Sequence, residues 1–233
     1  MAVSTESAEG FFEAASPFGA LADWEPQEGG SPTKTRERAS ALGADGDEFR
    51  HADHDERDTV TANYVAKKTT GNFDVPAAGS VLNGYVVESV TVNYSQDFPT
   101  LALSGHKHTR AASGAHENMR TYSPSIDLPA VALGVPSEIG HVSCDGARSI
   151  SYELTCNHID EIGGDDTLVG ADNHDGTETL TIESVCAITV DGTDADAGNW
   201  TQTNSGKNKT NNAATVNSLT LVKHLAHDTP SGT

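Results

Sequence analysis

The chain has 233 residues, and its 34 acidic against 14 basic side chains give a formal net charge of −20. Such a surface repels phosphate, which excludes a protein that grips nucleic acid by neutralising its backbone. The odd number of cysteines (Cys144, Cys156 and Cys186) excludes a closed disulfide framework, so we expect reduced thiols. There is no signal-peptide pattern and no apolar run near about 18 residues, so we expect a protein made in a cytoplasm that does not span a membrane.

Residues 1–58 differ from the rest in being acidic and rich in Gly and Pro. We predict an extended N-terminal arm whose apolar anchors dock on the rest of the chain or on a neighbouring subunit. These anchors are Phe11, Phe12, Phe18, Leu21 and Trp24. Within the arm, TKTRERASAL (residues 33–42) indicates one or two helical turns.

From Thr59 onward the sequence alternates between apolar and polar residues, a pattern typical of half-buried strands. The segments with this pattern are residues 59–66, 83–95, 100–109, 148–157, 178–190 and 214–226. A Pro-containing turn, QDFP, separates the second segment from the third, so we predict that these two form an antiparallel pair. Pro129 reduces residues 125–133 to an edge strand or a loop, and HIDEIGGDDTLVGADNHDG (residues 158–176) indicates a long acidic loop.

Strands at this spacing, without intervening helical patterns, indicate an all-β fold. We predict a β-sandwich or partly closed barrel with long loops and the extended N-terminal arm. A short flanking helix fits VPSEIGHV (residues 135–142), with Ser137 as its cap. The predicted organisation is an acidic arm at 1–58, a β-sandwich domain at 59–226 and a C-terminal tail at 227–233.

The segment SGHKHTRAASGAHENMR (residues 104–120) places three histidines close together. His106 and His108 are two residues apart on a predicted strand, so their rings share a face, as two zinc ligands would. A zinc site needs a third ligand, and the nearest candidate is His116, which Glu117 follows.

The helical zinc-peptidase motif requires a second histidine at the position of Arg120, so His116 does not complete such a site. We therefore predict no metal site here. We expect the imidazoles of His106 and His108 to contact carboxylates of an adjoining subunit.

Other metal candidates are weaker. His51 and His54 lie in an acidic run that is typical of a solvated surface. The Asp-rich segment around Asp172 does not match an EF-hand, because His174 stands where an oxygen ligand is needed.

Cys144 follows His141 by three residues, a spacing that a nucleophile and its base could use. No orienting group or oxyanion donor is evident nearby, so a buried cysteine beside a turn is the better interpretation. We predict no catalytic, cofactor-binding or metal-binding residue and no enzymatic activity.

The order of the strand segments carries a resemblance to a known family. GYVVESVTVNYSQDFPTLALSGH is a long amphipathic strand followed by a second strand that ends in a Gly-His turn. The opening strand TVTANYVAKK precedes it, and RSISYELTCNHIDE and SLTLVKHLA follow it. This order, after an acidic N-terminal segment, resembles that of the tail tube (major tail) proteins of tailed phages and viruses.

The resemblance implies a subunit of the virion tail, assembled in the host cytoplasm. Six copies would form a ring, and stacked rings would surround the DNA path during ejection. Its partners would be further copies of itself and other tail proteins, with DNA only as passing cargo and no membrane. The acidic composition fits such a wall, because negative charge keeps DNA mobile.

Other functions stay open. One is another tail, neck or capsid-surface component of the same kind of particle. A second is a β-sandwich module that binds glycans or host surfaces, including a calcium-dependent one that uses residues 163–176 and 191–198, with Trp200 as an exposed aromatic. An enzyme would require zinc held through His106.

Overall fold

The computed structural model describes residues 16–27, 33–42, 48–191, 199–208 and 215–226, with the side chains of 35–42, 48–55 and 208 outside this description. Almost all regular structure in these ranges is β. No helix there has the length and apolar character needed to cross a membrane.

The strands are numbered in chain order. They are β1 (Trp24–Pro26), β2 (Thr33–Leu42), β3 (Glu48–Ala66), β4 (Val81–Leu82), β5 (Tyr85–Tyr94), β6 (Thr100–His108), β7 (Glu138–Ile139), β8 (Val142–Ser143), β9 (Ala147–Ile162), β10 (Leu168–Ser184), β11 (Thr189–Val190), β12 (Thr201–Asn208) and β13 (Val216–His224).

Ten strands form one antiparallel main sheet in the order β1-β3-β6-β5-β9-β10-β13-β12, with β2 added to β3 and β4 added to β5. A second sheet of three strands has the order β11-β8-β7. The end strands of the main sheet do not pair with each other in the described ranges, so the sheet is open and no barrel is closed. The all-β prediction is confirmed, and the predicted antiparallel pair is β5 with β6.

One face of the main sheet carries the hydrophobic core. Alternate residues of its central strands point to this face because side chains alternate along a strand. They are Val90, Val92 and Tyr94 of β5, Leu101 and Leu103 of β6, Ile150, Tyr152 and Leu154 of β9, Leu180 and Ile182 of β10, and Leu219 and Leu221 of β13. Phe73, Tyr122 and Leu128 from the connecting segments belong to the same core.

The opposite face of the same five strands is mainly polar and half-buried to exposed, with Ala102 and Val222 as its apolar members. We call it the polar face and define it as Thr91, Asn93, Ser104, Ser151, Glu153, Thr179, Thr181 and Thr220. These residues form cross-strand rows, in which Thr91 lies opposite Glu153 and Thr181 lies opposite both Ser151 and Thr220.

Part of the predicted N-terminal arm docks on its own chain. Phe18 and Trp24 belong to the core, and the indole Nε1 of Trp24 donates to the carbonyl oxygen of Asp74 at 2.9 Å. Phe11 and Phe12 lie outside the described residues. The predicted boundary at residue 58 falls inside β3, which is one continuous strand from Glu48 to Ala66.

Two predicted helical segments are strands. Residues 33–42 form β2, because pairing with β3 from Thr33↔Thr59 to Leu42↔Glu48 outweighs a weak helical propensity. Residues 135–142 contain no helix. They lead into the β7–β8 hairpin, in which Ile139 pairs with Val142 and both are buried, while Gly140 takes a positive φ of 53° in the turn.

The predicted acidic loop at 158–176 is also mostly strand. β9 continues to Ile162 and β10 begins at Leu168, so the turn between them spans only residues 163–167. Asp166 adopts a positive φ of 65° there, a conformation that Asp tolerates better than most residues. The acidic residues of this segment therefore lie mainly on a long hairpin.

Candidate functional site

Three histidines and one carboxylate meet on neighbouring strands of the main sheet. His106 and His108 come from β6, and His158 and Asp160 come from β9; we call these four residues the histidine–aspartate cluster. The Nε2 atoms of His158 and His108 lie 2.7 Å and 2.8 Å from the two oxygens of Asp160. Nε2 of His106 lies 3.5 Å from Oδ2 of Asp160.

The strand pairing explains why these residues meet although β5 separates β6 from β9 in the sheet. β5 pairs with β9 only between Ser89 and Tyr94, while it continues with β6 as far as Val86. Beyond Ser89 the side chains of β6 and β9 contact each other, and the rings of His106 and His158 have centroids 4.7 Å apart.

A β-bulge supplies a further carboxylate. Val87 pairs with Gly105 and Ser89 pairs with Ser104, so Glu88 is an extra residue in β5. A bulge turns a side chain out of the regular alternation, and Oε1 of Glu88 lies 3.0 Å from Nδ1 of His106. Gly105 is required beside this bulge, since a Cβ there would lie 2.0 Å from the carbonyl oxygen of Val86.

The hydrogen bonds of Asn173 define how the His158 ring is held. The amide Nδ2 of Asn173 donates to the carbonyl oxygen of Arg120 at 2.6 Å, which turns Oδ1 toward Nδ1 of His158 at 2.6 Å. An amide oxygen only accepts, so Nδ1 of His158 carries a hydrogen and donates it. The other nitrogen, Nε2, faces Asp160.

Burial and charge shift the pKa values in the cluster. Burial alone would lower the pKa of His106, but the carboxylates of Asp160 and Glu88 outweigh burial and raise that pKa to about 9. Burial would raise the pKa of Asp160, but its contacts with the three histidines hold it far below its ordinary range. The contact with His106 likewise lowers the pKa of Glu88. Both carboxylates are therefore ionised at neutral pH.

The segment after β6 folds against the β9–β10 hairpin next to the cluster. The backbone N–H of Leu168 donates to the carbonyl oxygen of Arg110 at 3.0 Å, and Arg120 forms an ion pair with Asp172. His116 is half-buried in this segment, and burial together with the nearby charge of His158 lowers its pKa. The segment 104–120 is thus folded around one site.

The side chains that meet His106 and His108 come from β9. His158 and Asp160 lie about fifty positions further along the chain, so the local pattern around His106 does not reveal them. One pattern in the sequence does indicate them. In NHIDE on β9, His158 and Asp160 stand two residues apart, as His106 and His108 do on β6. The carboxylates predicted to come from an adjoining subunit are those of Asp160 and Glu88 in the same chain.

The other sequence candidates have different environments. Cys144 is fully buried, as interpreted from the sequence, and burial raises the pKa of its thiol to about 11, the opposite of what a nucleophile needs. Trp200 is only 8% exposed, which corrects the expectation of an exposed aromatic for glycan stacking. Nε2 of His174 lies 3.5 Å from Asp175. The side chains of His51 and His54 lie outside the described residues.

The fold and the cluster together define an all-β protein with an open antiparallel sheet and a buried histidine–aspartate cluster. No protein-family model matches the chain, and no curated protein compared with it is significantly similar.

Proposed function

We propose that the chain is a tail tube subunit of a tailed phage or virus, six copies of which form a ring that stacks into a conduit for DNA. The observation that carries this proposal is the two-sided main sheet. One face is covered by the core, and the other presents the polar face across five neighbouring strands. A tube needs such a sheet, because its wall must pack on one side and face an aqueous lumen on the other.

The chemistry of the polar face suits a surface along which DNA moves. Its members are mainly Ser and Thr with Glu153 as the charged one, and Glu183, which lies opposite Ser149 and Ser218, is on the same face. Small hydroxyl side chains hydrogen-bond to one another across strands, as Ser89 and Ser104 do at 2.6 Å. Without Lys or Arg in this set, phosphate has no strong partner, and the net charge of −20 adds repulsion.

A two-stranded arm supports association with further copies. β6 pairs with β3 only from Arg57 onward, so residues 48–56 of β3 pair with β2 alone among the described strands. An isolated two-stranded ribbon is at best marginally stable in water. A neighbouring subunit would supply the missing contacts, as subunits of a ring or of adjacent rings do.

Exposed apolar side chains on the β9–β10 hairpin offer a second contact. Ile159, Ile162 and Val169 are 53%, 37% and 52% exposed, and they lie beyond the region where β5 and β13 pair with this hairpin. Apolar side chains grouped on one projecting element are typical of a surface that another chain covers.

Negative-stain electron microscopy and light scattering of the purified protein test this function. We expect rings or tubes, if necessary after addition of a tail initiator complex. A protein that remains monomeric at high concentration with the initiator present would contradict the proposal.

Two variants test which surfaces form the tube. Replacing residues 37–54 by Gly-Gly should leave the far-ultraviolet β spectrum and the thermal transition but abolish tubes. Ile159→Ser with Val169→Ser should weaken assembly, whereas Leu133→Ser, which changes a 61% exposed side chain elsewhere, should not. If Leu133→Ser weakened assembly as much as the double substitution does, the hairpin would not belong to the interface.

A further inference from the structure

We propose that the histidine–aspartate cluster is a binding site for one divalent transition-metal ion of the zinc class. Its ligands are Nε2 of His106, Nε2 of His158 and a carboxylate oxygen of Asp160, and these three atoms lie within 4.8 Å of one another. His108 hydrogen-bonds to Oδ2 of Asp160 at 2.8 Å and orients this carboxylate. The inference does not depend on the proposed role in a tail.

In His106 and His158, the hydrogen bond made by Nδ1, on the far side of the ring, leaves Nε2, on the near side, available to a metal. Nδ1 of His106 faces the ionised carboxylate of Glu88, and Nδ1 of His158 faces the amide oxygen of Asn173. Both partners accept hydrogen bonds, so both Nδ1 atoms carry the hydrogen and a neutral ring exposes its lone pair at Nε2. Metal-binding histidines are held in this way, by a carboxylate or carbonyl on the nitrogen remote from the metal.

With both rings neutral, no proton lies between the three ligand atoms, and the guanidinium of Arg57 lies beside them, with Nη1 3.8 Å from Oδ2 of Asp160. Two Nε2 lone pairs and a carboxylate repel one another unless extra protons or a cation lie between them. The side chain of His106 is only 1% exposed, and its buried Nε2 forms no hydrogen bond. A cation at this position would satisfy that nitrogen, whereas a proton on it would face Oδ2 of Asp160 at 3.5 Å, which is long for a hydrogen bond.

A groove lies beside the cluster. It has a volume of about 380 Å³ and is lined by Thr59, Glu88, Ser104 and Gly105, the last two being the residues that precede His106 on β6. The side chain of Glu88 is 40% exposed, so a carboxylate at the groove also contacts the ligand His106. Glu88 therefore attracts a cation toward the site and orients its ligand.

The donor set selects the kind of ion. Two imidazole nitrogens and one carboxylate suit zinc, cobalt or nickel, whereas magnesium and calcium prefer oxygen ligands only. Such an ion would connect β6 to β9 at the point where β5 no longer pairs with both strands. It would thereby fix the base of the long β9–β10 hairpin.

The experiment uses the full chain without an affinity tag, freed of metal by a chelator. Titration with Co²⁺ should give the visible absorption of a low-coordinate nitrogen–oxygen site that saturates at one ion per chain. Zn²⁺ should displace this signal and raise the thermal midpoint, while Mg²⁺ should do neither. Absence of both the cobalt signal and the zinc-induced shift in the wild-type protein would overturn the proposal and favour a proton-bridged ion-pair cluster.

Variants assign the ligands. His158→Gln and Asp160→Asn, two near-isosteric changes, should abolish saturable cobalt binding, and Glu88→Gln should weaken it about 10- to 100-fold. His224→Gln alters an exposed histidine of β13 and serves as the matched control with unchanged binding. The β spectrum of each variant verifies folding. Cobalt binding by a folded His158→Gln protein with wild-type affinity would also overturn the proposal.

Discussion

The hydroxyl of Tyr152 donates a 2.6 Å hydrogen bond to Oε1 of Glu178, and both side chains are fully buried on the core face of the main sheet. The backbone N–H of Ser125 donates to the same oxygen at 2.6 Å. Lys223 lies opposite Glu178 on β13, and its Nζ donates to Oγ of Ser125 at 2.9 Å. A buried carboxylate thus connects β9, β10, β13 and the segment that covers them.

Removing this carboxylate should destabilise the fold strongly. Glu178→Ala leaves the hydroxyl of Tyr152 and the N–H of Ser125 buried without an acceptor, so we expect a loss of about 3–5 kcal/mol in the free energy of unfolding. Urea unfolding followed by circular dichroism measures this loss. Glu153→Ala, on the exposed side of the neighbouring strand, is the control and should change the free energy by less than about 0.5 kcal/mol. Equal effects would refute the structural role of Glu178.

The segment around Trp24 should behave as part of the core and not as a detachable arm. Trp24 is fully buried against Phe73, with ring centroids 4.4 Å apart, so Trp24→Ala should cost about 3–5 kcal/mol. Phe98→Ala, which truncates a 57% exposed ring, should be nearly neutral. The measurement is again the unfolding midpoint in urea. A Trp24→Ala protein as stable as the wild type would show that this segment contributes nothing to folding.

The three thiols should differ sharply in reactivity. Cys186 is exposed, whereas Cys144 and Cys156 are buried. Burial raises the pKa of Cys144 to about 11 and that of Cys156 to about 12, so raising the pH from neutral to 9 leaves both protonated. An aromatic disulfide reagent should therefore modify one thiol in the native protein and all three in guanidinium. Cys186→Ser should eliminate the fast reaction; a second fast thiol at pH 9 would contradict the burial.

The ion pair between Arg120 and Asp172 should make stability depend on acid. The hydrogen bond from Arg120 lowers the pKa of Asp172 from its ordinary value of 3.8 to about 2. Because the folded-state pKa is the lower one, the ion pair stabilises the fold fully above the ordinary value and loses its contribution as the pH falls toward about 2.

The thermal midpoint of Asp172→Asn, measured against wild type across this range, checks the sign. We expect the midpoint difference to be largest near about pH 6, to vanish near about pH 2 and to shrink in high salt, because the pair is partly exposed. Asp97→Asn, in an exposed loop, should give no pH-dependent difference. A midpoint difference that is constant with pH would mean that Asp172 acts through contacts other than its charge.

The strands of the core could be predicted from the sequence because their alternation is regular. Ile150, Tyr152, Leu154 and Cys156 are all buried, as their spacing predicts. The two helical predictions failed because short polar segments have weak local preferences, which pairing with another strand overrides. Residues 33–42 gain backbone hydrogen bonds from β3 that no local pattern reveals.

The sequence indicates the two pairs of residues in the candidate site but not that they meet. The spacing of His106 and His108 revealed one half, and the same spacing of His158 and Asp160 was visible in the other. Their meeting depends on the strand order β6-β5-β9 and on the point at which β5 leaves β9. Such a long-range register is not encoded in the alternation of any single strand.

The bulge at Glu88 changes which positions of β5 face the core. Before it, Tyr85 and Val87 belong to the core, and after it, Val90 and Val92 do, so the inward positions change from odd to even. Because residue 88 is the extra one, a strand without it would alternate regularly, with Val87 still opposite Gly105 and Ser89 still opposite Ser104. Loss of this single codon would therefore leave the apolar side chains of both halves on the core face and remove the carboxylate beside His106. The bulge adds a side chain to the site at no cost to the packing of the strand.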